Sequence, residues 1–310
     1  MDPKPIDLVG VPVDLGVKEL GLKLGPDALR EAGLVSAAGS VGLEVRDLGN
    51  LDMPSPGAGA DANGRHVGLI AAWCEALRDT VARSIREGRV PISIGGDHSL
   101  AIGSMAGAAV AVGRLGCVWL DAHPDANTPQ TSPSGNIHGM PVAVAVGHGL
   151  GCLLAVAGPK PAVSSNHMAL LGIRDADLGE LEFVRQHNIR MFTVFDILEH
   201  GLPSLIEQTI ERAAIGTDGV HVSLDLDVLH EDIAPGVGLP SSCGFDMREA
   251  TYICRRIAEE CEVTSIDVVG LNPVRDRNMR TARRAIELLM VLLGRSYSFS
   301  YSRYLEDQTH

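Results

Sequence analysis

Short, largely apolar runs recur along the chain, separated by stretches with helical spacing or by loops rich in Gly and Pro. The runs are Ile6–Val11, Leu43–Leu48, Val90–Ile94, Leu115–Leu120, Met168–Ile173, Arg190–Val194, Gly219–Leu224 and Val263–Val269. Runs of this length and character predict strands, most of them buried on both faces. Pro26 opens a predicted helix through Leu29 and Arg30, because proline is tolerated in a first turn. Apolar positions at helical spacing predict further helices over 65–88, with Gly88 as the stop, and over 178–188, 203–214 and 278–294; the Val/Ala run after Pro141 also reads as helical. Segments 14–25, 50–63, 127–138 and 234–244 read as loops. Strands alternating with helices predict an α/β fold with an eight-stranded parallel sheet covered on both faces. With no break in composition and no internal repeat, residues 1–310 read as one domain, with 295–310 a C-terminal tail.

Polar residues interrupt this pattern at the carboxyl ends of the predicted strands. Leu115–Leu120 runs into Asp121-Ala122-His123-Pro124-Asp125, whose polar side chains recur at every second position and line one face of an extended backbone. Gly219–Leu224 delivers Asp225-Leu226-Asp227 at the same spacing. Val90–Ile94 leads into Gly95-Gly96-Asp97-His98-Ser99, where glycine permits a tight turn and close approach of the backbone to a site. Open parallel sheets bind ligands outside the carboxyl ends of their strands. Carboxylates gathered there repel each other and are costly to desolvate unless cations lie between them. Four carboxylates (Asp121, Asp125, Asp225, Asp227) and two imidazoles (His98, His123) are too many for one tetrahedral ion. They suit two oxygen-preferring divalent ions bridged by carboxylates, and the mixed set fits manganese better than magnesium or calcium. The chemistry this predicts is metal-assisted hydrolysis at an electrophilic carbon or phosphorus.

Composition narrows the partner. At 45% hydrophobic and 21% charged, the chain is globular. Aromatic residues make up 4% and the formal net charge is −13, which disfavours a nucleic-acid partner and fits a small cationic substrate. No apolar run is long enough to span a bilayer. The six cysteines form no CxxC pair and no apolar leader opens the chain, so a reducing, cytoplasmic setting is expected.

Gly95–Ser99, Asp121–Asp125 and Ser223–Asp227 together resemble the three metal motifs of the ureohydrolase (arginase/agmatinase) family, and the resemblance runs from about residue 6 to 294. It implies a three-layer α/β sandwich, two Mn²⁺ per chain, and a homo-oligomer, trimer or hexamer. Carried over by residue, it implies that His98 and Asp125 hold one ion and His123 and Asp227 the other, with Asp121 and Asp225 bridging. The shared hydroxide would attack a guanidinium carbon, oriented by Asp125, and His138 would shuttle a proton. The loop 127–139 is similar to the arginase loop that holds an α-carboxylate, here through Asn127, Ser132, Ser134 and Asn136. The segment 172–180 is similar to the one that holds an α-amino group, through Asp177 and Glu180.

Two positions depart from the family pattern. Gly270 stands where the family usually carries Glu, two residues before Asn272-Pro273, and His230-Glu231 replaces the usual Asp-Pro. Gly270 is thereby expected to leave room near the guanidinium, and Glu231 or another acid to supply the missing charge. The implied activity is hydrolysis of L-arginine, or of an N-substituted arginine such as an Nω-hydroxyarginine, to a urea and ornithine. The alternatives are hydrolysis of another guanidino or formimino compound, and a metal-binding family member without hydrolytic activity.

Overall fold

The computed structural model describes residues 4–18, 21–52 and 66–294. Most of the loop predicted over 50–63, and the tail 295–310, lie outside the described residues. In chain order the elements are β1 (Ile6–Val11), α1 (Gly25–Glu31), α2 (Leu34–Ser40), β2 (Val45–Asn50), α3 (Val67–Arg86), β3 (Val90–Gly95), α4 (Ala101–Val112), β4 (Leu115–Leu120), α5 (Pro141–Ala145), α6 (Gly151–Ala157), β5 (Val163–Ile173), α7 (Leu178–Gln186), β6 (Arg190–Thr193), α8 (Val194–His200), α9 (Leu202–Ala214), β7 (Gly219–Asp225), α10 (Met247–Glu260), β8 (Val263–Val269) and α11 (Arg280–Leu292). The strands form one eight-stranded sheet in the order β2-β1-β3-β8-β7-β4-β5-β6, and every pairing is parallel.

Alternation along each strand divides the side chains between two cores. Leu8, Ile92, Val118, Val222 and Ile266 meet Leu29, Leu34, Ile206, Ile253 and Leu289 from α1, α2, α9, α10 and α11. Val9, Cys117, Trp119 and Leu170 on the other face meet Trp73, Leu77, Met105, Val142 and Phe183 from α3, α4, α5 and α7. The result is the three-layer sandwich that the apolar runs implied, since a parallel strand has helices on both sides of it.

Several elements differ from the sequence reading. Strand β5 begins at Val163, five residues before the predicted Met168. Val194 belongs to α8, because Thr193 and Asp196 form a reciprocal cap: Thr193 Oγ1 accepts the Asp196 N–H at 3.2 Å and Asp196 Oδ2 accepts the Thr193 N–H at 2.7 Å. Helix α10 starts at a comparable cap, with Asp246 Oδ1 accepting the Glu249 N–H at 2.8 Å. Helix α4 has no polar face to reveal it, because its first eight residues are all buried between α3 and the sheet.

That burial requires close backbone approach. A Cβ on Gly103 would lie 2.4 Å from the Cys74 carbonyl oxygen, and one on Gly107 would lie 2.5 Å from that of Arg78. Both contacts are to backbone, so α3 and α4 must separate to admit a methyl group. Gly107→Ala is therefore expected to destabilise the fold by about 1–3 kcal/mol, as overpacking does. A urea melt would show this as a lower midpoint at unchanged slope, and an unchanged midpoint would refute the tight crossing.

Candidate metal centre

The order β3-β8-β7-β4 at the middle of the sheet brings four strand ends together. His98 follows β3, Gly270 follows β8, Asp225 ends β7 and Asp121 follows β4. His98 Nδ1 lies 3.0 Å from Asp121 Oδ2, 3.2 Å from Asp125 Oδ2 and 3.4 Å from Asp225 Oδ2. His123 Nδ1 lies 3.1 Å from Asp227 Oδ2 and 3.4 Å from Asp121 Oδ1. Two groups result, His98/Asp121/Asp225 and Asp121/His123/Asp227, each with its ligand atoms within 4.8 Å of one another. Asp121 is common to both. His98, His123, Asp125, His138, Asp225, Asp227 and Gly270 all line one pocket, together with Asp97, Val17, Leu22, Gly238 and Leu239.

Neighbouring side chains aim these groups. Trp119, two residues before Asp121 on the same face, donates its indole N–H to Asp121 Oδ2 at 3.0 Å and stacks on the His98 ring with centroids 3.9 Å apart. Ser223, two residues before Asp225, lies 2.8 Å from His98 Nε2. With that nitrogen engaged, Nδ1 is the one turned to the carboxylates. Asp97 accepts from the Gly16 N–H at 2.8 Å and the Ser99 N–H at 2.9 Å, fixing the turn that presents His98. Asp125 sits at φ +46°, in the left-handed region, strain of a kind that collects at functional sites. Trp119 and Ser223 were legible in principle, since the i, i−2 alternation that groups the aspartates also includes them.

The electrostatics call for cations. Burial, followed by Asp227 and Asp121, pushes the Asp225 carboxyl well above the usual range. Burial and Asp121 push Asp125 up to about 6. Burial and then Asp121 also raise Asp227. Burial works against ionised Asp121 too, but the His123 and His98 imidazoles beside it overcome this and hold that carboxyl low. His98 Nδ1 is buried and makes no hydrogen bond, although three carboxylate oxygens surround it. An orphaned imidazole nitrogen among crowded carboxylates fits divalent ions held by Asp and His.

The residues assigned to an α-amino acid lie apart from the pocket lining and form a linked scaffold. Asn127 Nδ2 donates to Asp177 Oδ2 at 2.9 Å, and Asn127 Oδ1 accepts from Thr131 at 2.9 Å. Glu180 is buried and accepts the Ala126 N–H at 3.0 Å and the Asp177 N–H at 2.9 Å, and burial pushes it up to about 8. Ser132 and Ser134 accept the Gly135 and Asn136 N–H groups, closing the turn that leads to His138. Burial, followed by His123 and His98, holds the His138 imidazole down at about 4.

Two expectations need correction. Gly270 does not leave room: its φ is +83°, and a Cβ there would lie 2.3 Å from Asp225 Oδ1. Glu231 does not supply the missing charge: it is exposed and accepts the Ser242 hydroxyl at 2.9 Å. A fixed backbone and an occupied volume decide the first, and an outward-facing surface position the second; neither is visible in a one-dimensional pattern.

A model of the arginase family matches residues 4–294. The arginase of Bacillus caldovelox is 40% identical over 296 residues, which cover 94% of this chain and 98% of that one. The arginase of Bacillus subtilis is 37% identical over 292 residues, at the same coverage. Among solved structures, native Bacillus caldovelox arginase superposes with a TM-score of 0.90 at 38% identity, covering 95% of this chain and 99% of that one. Entamoeba histolytica arginase in complex with L-ornithine superposes with a TM-score of 0.86 at 31% identity, covering 95% and 100%.

Gly270→Ala is expected to displace Asp225 and strain the strand end, so it should weaken divalent-metal binding on the His98 side. Ser223→Ala frees His98 Nε2 and should lower metal affinity by roughly 10-fold to 100-fold, the scale for losing a partner of a metal-ligating histidine. Calorimetric titration of metal-depleted protein measures both. Wild-type affinity in Gly270→Ala would show that the Asp225 carboxylate is not held where the structure has it.

Proposed function

The chain belongs to the arginase family, and from that premise we propose that it is a dinuclear manganese amidinohydrolase cleaving the guanidino group of L-arginine, or of an N-substituted arginine, to a urea and ornithine. The observation that carries this reading is the pair of Asp/His groups that share Asp121, whose other members, His98, His123, Asp225 and Asp227, line one pocket. His98, Asp121, Asp125 and Asp225 would hold one Mn²⁺, and Asp121, His123, Asp225 and Asp227 the other. When bound, the ions supply Lewis acidity and lower the pKa of a shared water.

The chain's own residues do the rest. Asp125 accepts a proton of the attacking water and fixes its direction toward the guanidinium carbon. His138, on the pocket wall, relays that proton to the leaving amine nitrogen. Asn127, Ser132, Ser134 and Asn136 meet the α-carboxylate. Asp177 and Glu180 meet the α-ammonium, and each Glu180 oxygen keeps a lone pair beyond its bond to the backbone.

The N-substituted alternative has its own support. Besides its aspartates (Asp97, Asp125, Asp225 and Asp227) and histidines, the pocket is lined by Val17, Leu22, Gly238, Leu239 and Gly270, which add no further counter-charge for a distal nitrogen. A less basic guanidine loses less there than arginine does. A homo-oligomer, trimer or hexamer, is favoured by exposed Phe195 and Leu198 on α8, beside the edge strand β6. No described helix is long and apolar enough to cross a membrane. The unpaired state of the cysteines supports a reducing, cytoplasmic setting.

Metal-depleted protein is expected to be inactive and to recover best with manganese, at two ions per chain. Full activity with a single zinc per chain would defeat the dinuclear reading. Asp225→Asn should abolish most turnover and lower the manganese stoichiometry, because a carboxylate becomes a neutral amide. A panel of L-arginine, Nω-substituted arginines and agmatine, assayed for urea and substituted ureas, ranks the substrates. Turnover of agmatine above every amino acid would overturn the assignment of the 127–139 loop.

A further inference from the structure

Arg174 follows β5, with its backbone N–H bonded to the Ala122 carbonyl at 2.8 Å between two members of the metal centre. Its guanidinium makes no ion pair among the described residues. It is spent instead on carbonyl oxygens: Ser242 at 2.7 Å, Ser241 at 3.0 Å, Gly172 at 3.2 Å, Leu229 at 3.3 Å, Val228 at 3.4 Å and Asp227. Apart from Gly172 on β5, these fall on two separate pieces of the site. Asp227–Leu229 is the turn that presents the Asp227 carboxylate, whose Oδ2 faces His123. Ser241 and Ser242 end the segment that supplies Gly238 and Leu239 to the pocket wall. The start of that segment is pinned elsewhere, by Gly238 N–H to the Gly270 carbonyl at 3.1 Å and by Arg275 to the Gly238 carbonyl at 2.6 Å. Its far end is gripped by Arg174.

We propose that Arg174 is a positioning residue that couples the Asp227 side of the metal centre to the 237–242 wall of the substrate pocket. The inference rests on the metal centre described above, and extends it to a group that touches neither metal nor substrate. A planar fork with five donors can hold several carbonyls of two loops in one fixed geometry. A lysine ammonium, a compact point charge with three donors, cannot. With Asp227 drawn onto an ion, its backbone carbonyl, Arg174 and the Ser241–Ser242 carbonyls move as one body. Ordering of the centre then orders the wall, and the coupling is reciprocal.

The test uses the full chain with Arg174→Gln, Arg174→Lys and Arg275→Gln. Manganese affinity is measured by calorimetry, amide exchange in peptides covering 234–244 is measured with and without Mn²⁺, and KM and kcat are measured on L-arginine. In the wild type, Mn²⁺ is expected to slow exchange in 234–244 several-fold. In Arg174→Gln that response should vanish, manganese affinity should fall tenfold or more, and KM should rise more than kcat falls. Arg174→Lys, which keeps the charge, should resemble Arg174→Gln; if the latter does not fold, the lysine variant carries the test alone. Arg275→Gln should raise KM while manganese affinity stays within twofold. Equal manganese protection of 234–244 in wild type and Arg174 variants, or wild-type affinity in Arg174→Lys, overturns the proposal whatever the melting temperatures. The exchange and calorimetry arms need no substrate. Failure to hydrolyse both L-arginine and N-substituted arginines would therefore count against the functional reading and leave those two arms to decide this one.

Discussion

Everything at the centre of the sheet depends on holding four carboxylates within reach of two imidazoles. Burial and mutual repulsion raise Asp125, Asp225 and Asp227 toward protonation, and the His98 and His123 imidazoles oppose this inside the protein. Such a cluster is tolerable because backbone N–H groups and the Trp119 indole share the cost: Asp121 accepts from His123 N–H and Trp119, Asp225 from Asp227 N–H, and Asp227 from Ala122 N–H. These bonds fix directions without neutralising charge. The charge itself asks for divalent ions, which is why the arrangement fits a metal centre better than a network of ordinary ion pairs.

The surrounding structure reads as the means of keeping that cluster rigid. Two closely packed helices, α3 and α4, lie behind the strand ends, and α4 begins just past His98. Glu180 ties the start of α7 to the backbone that follows Asp125, so the loop expected to hold an amino acid is joined to the loop that carries a ligand. Arg174 and Arg275 grip the opposite wall through carbonyls. The site is thus built on strand ends and braced loops, which suits a reaction whose rate depends on position within fractions of an ångström.

Gly270 shows how a substitution relative to a family pattern can mislead. Read as a missing side chain, it suggests free space and a changed substrate. In three dimensions its positive φ and the Asp225 carboxylate beneath it leave no volume for a Cβ. Val17, Leu22 and Leu239 line the pocket alongside Gly270.

The sequence alone determined the strand succession and helices α1, α3, α5, α7, α9 and α11, because buried parallel strands must be short apolar runs and amphipathic helices must repeat near 3.6 residues; α2, α6 and α10 came only with the structure. It also determined the ligand candidates: polar residues at i, i+2 spacing at strand ends share a face whatever the fold. Helix α4 escaped because it is apolar all round, and α8 because its cap lies inside a run that reads as strand. Only the tertiary structure decided that β7 lies between β8 and β4, which brings Asp225 to His98 across more than a hundred residues. It alone decided that Ser223 and Trp119 brace His98, that Arg174 spans two loops, that Glu231 faces outward, and that Gly270 has no room above Asp225. Those are facts of distance between segments far apart in the chain, and local periodicity carries no information about them.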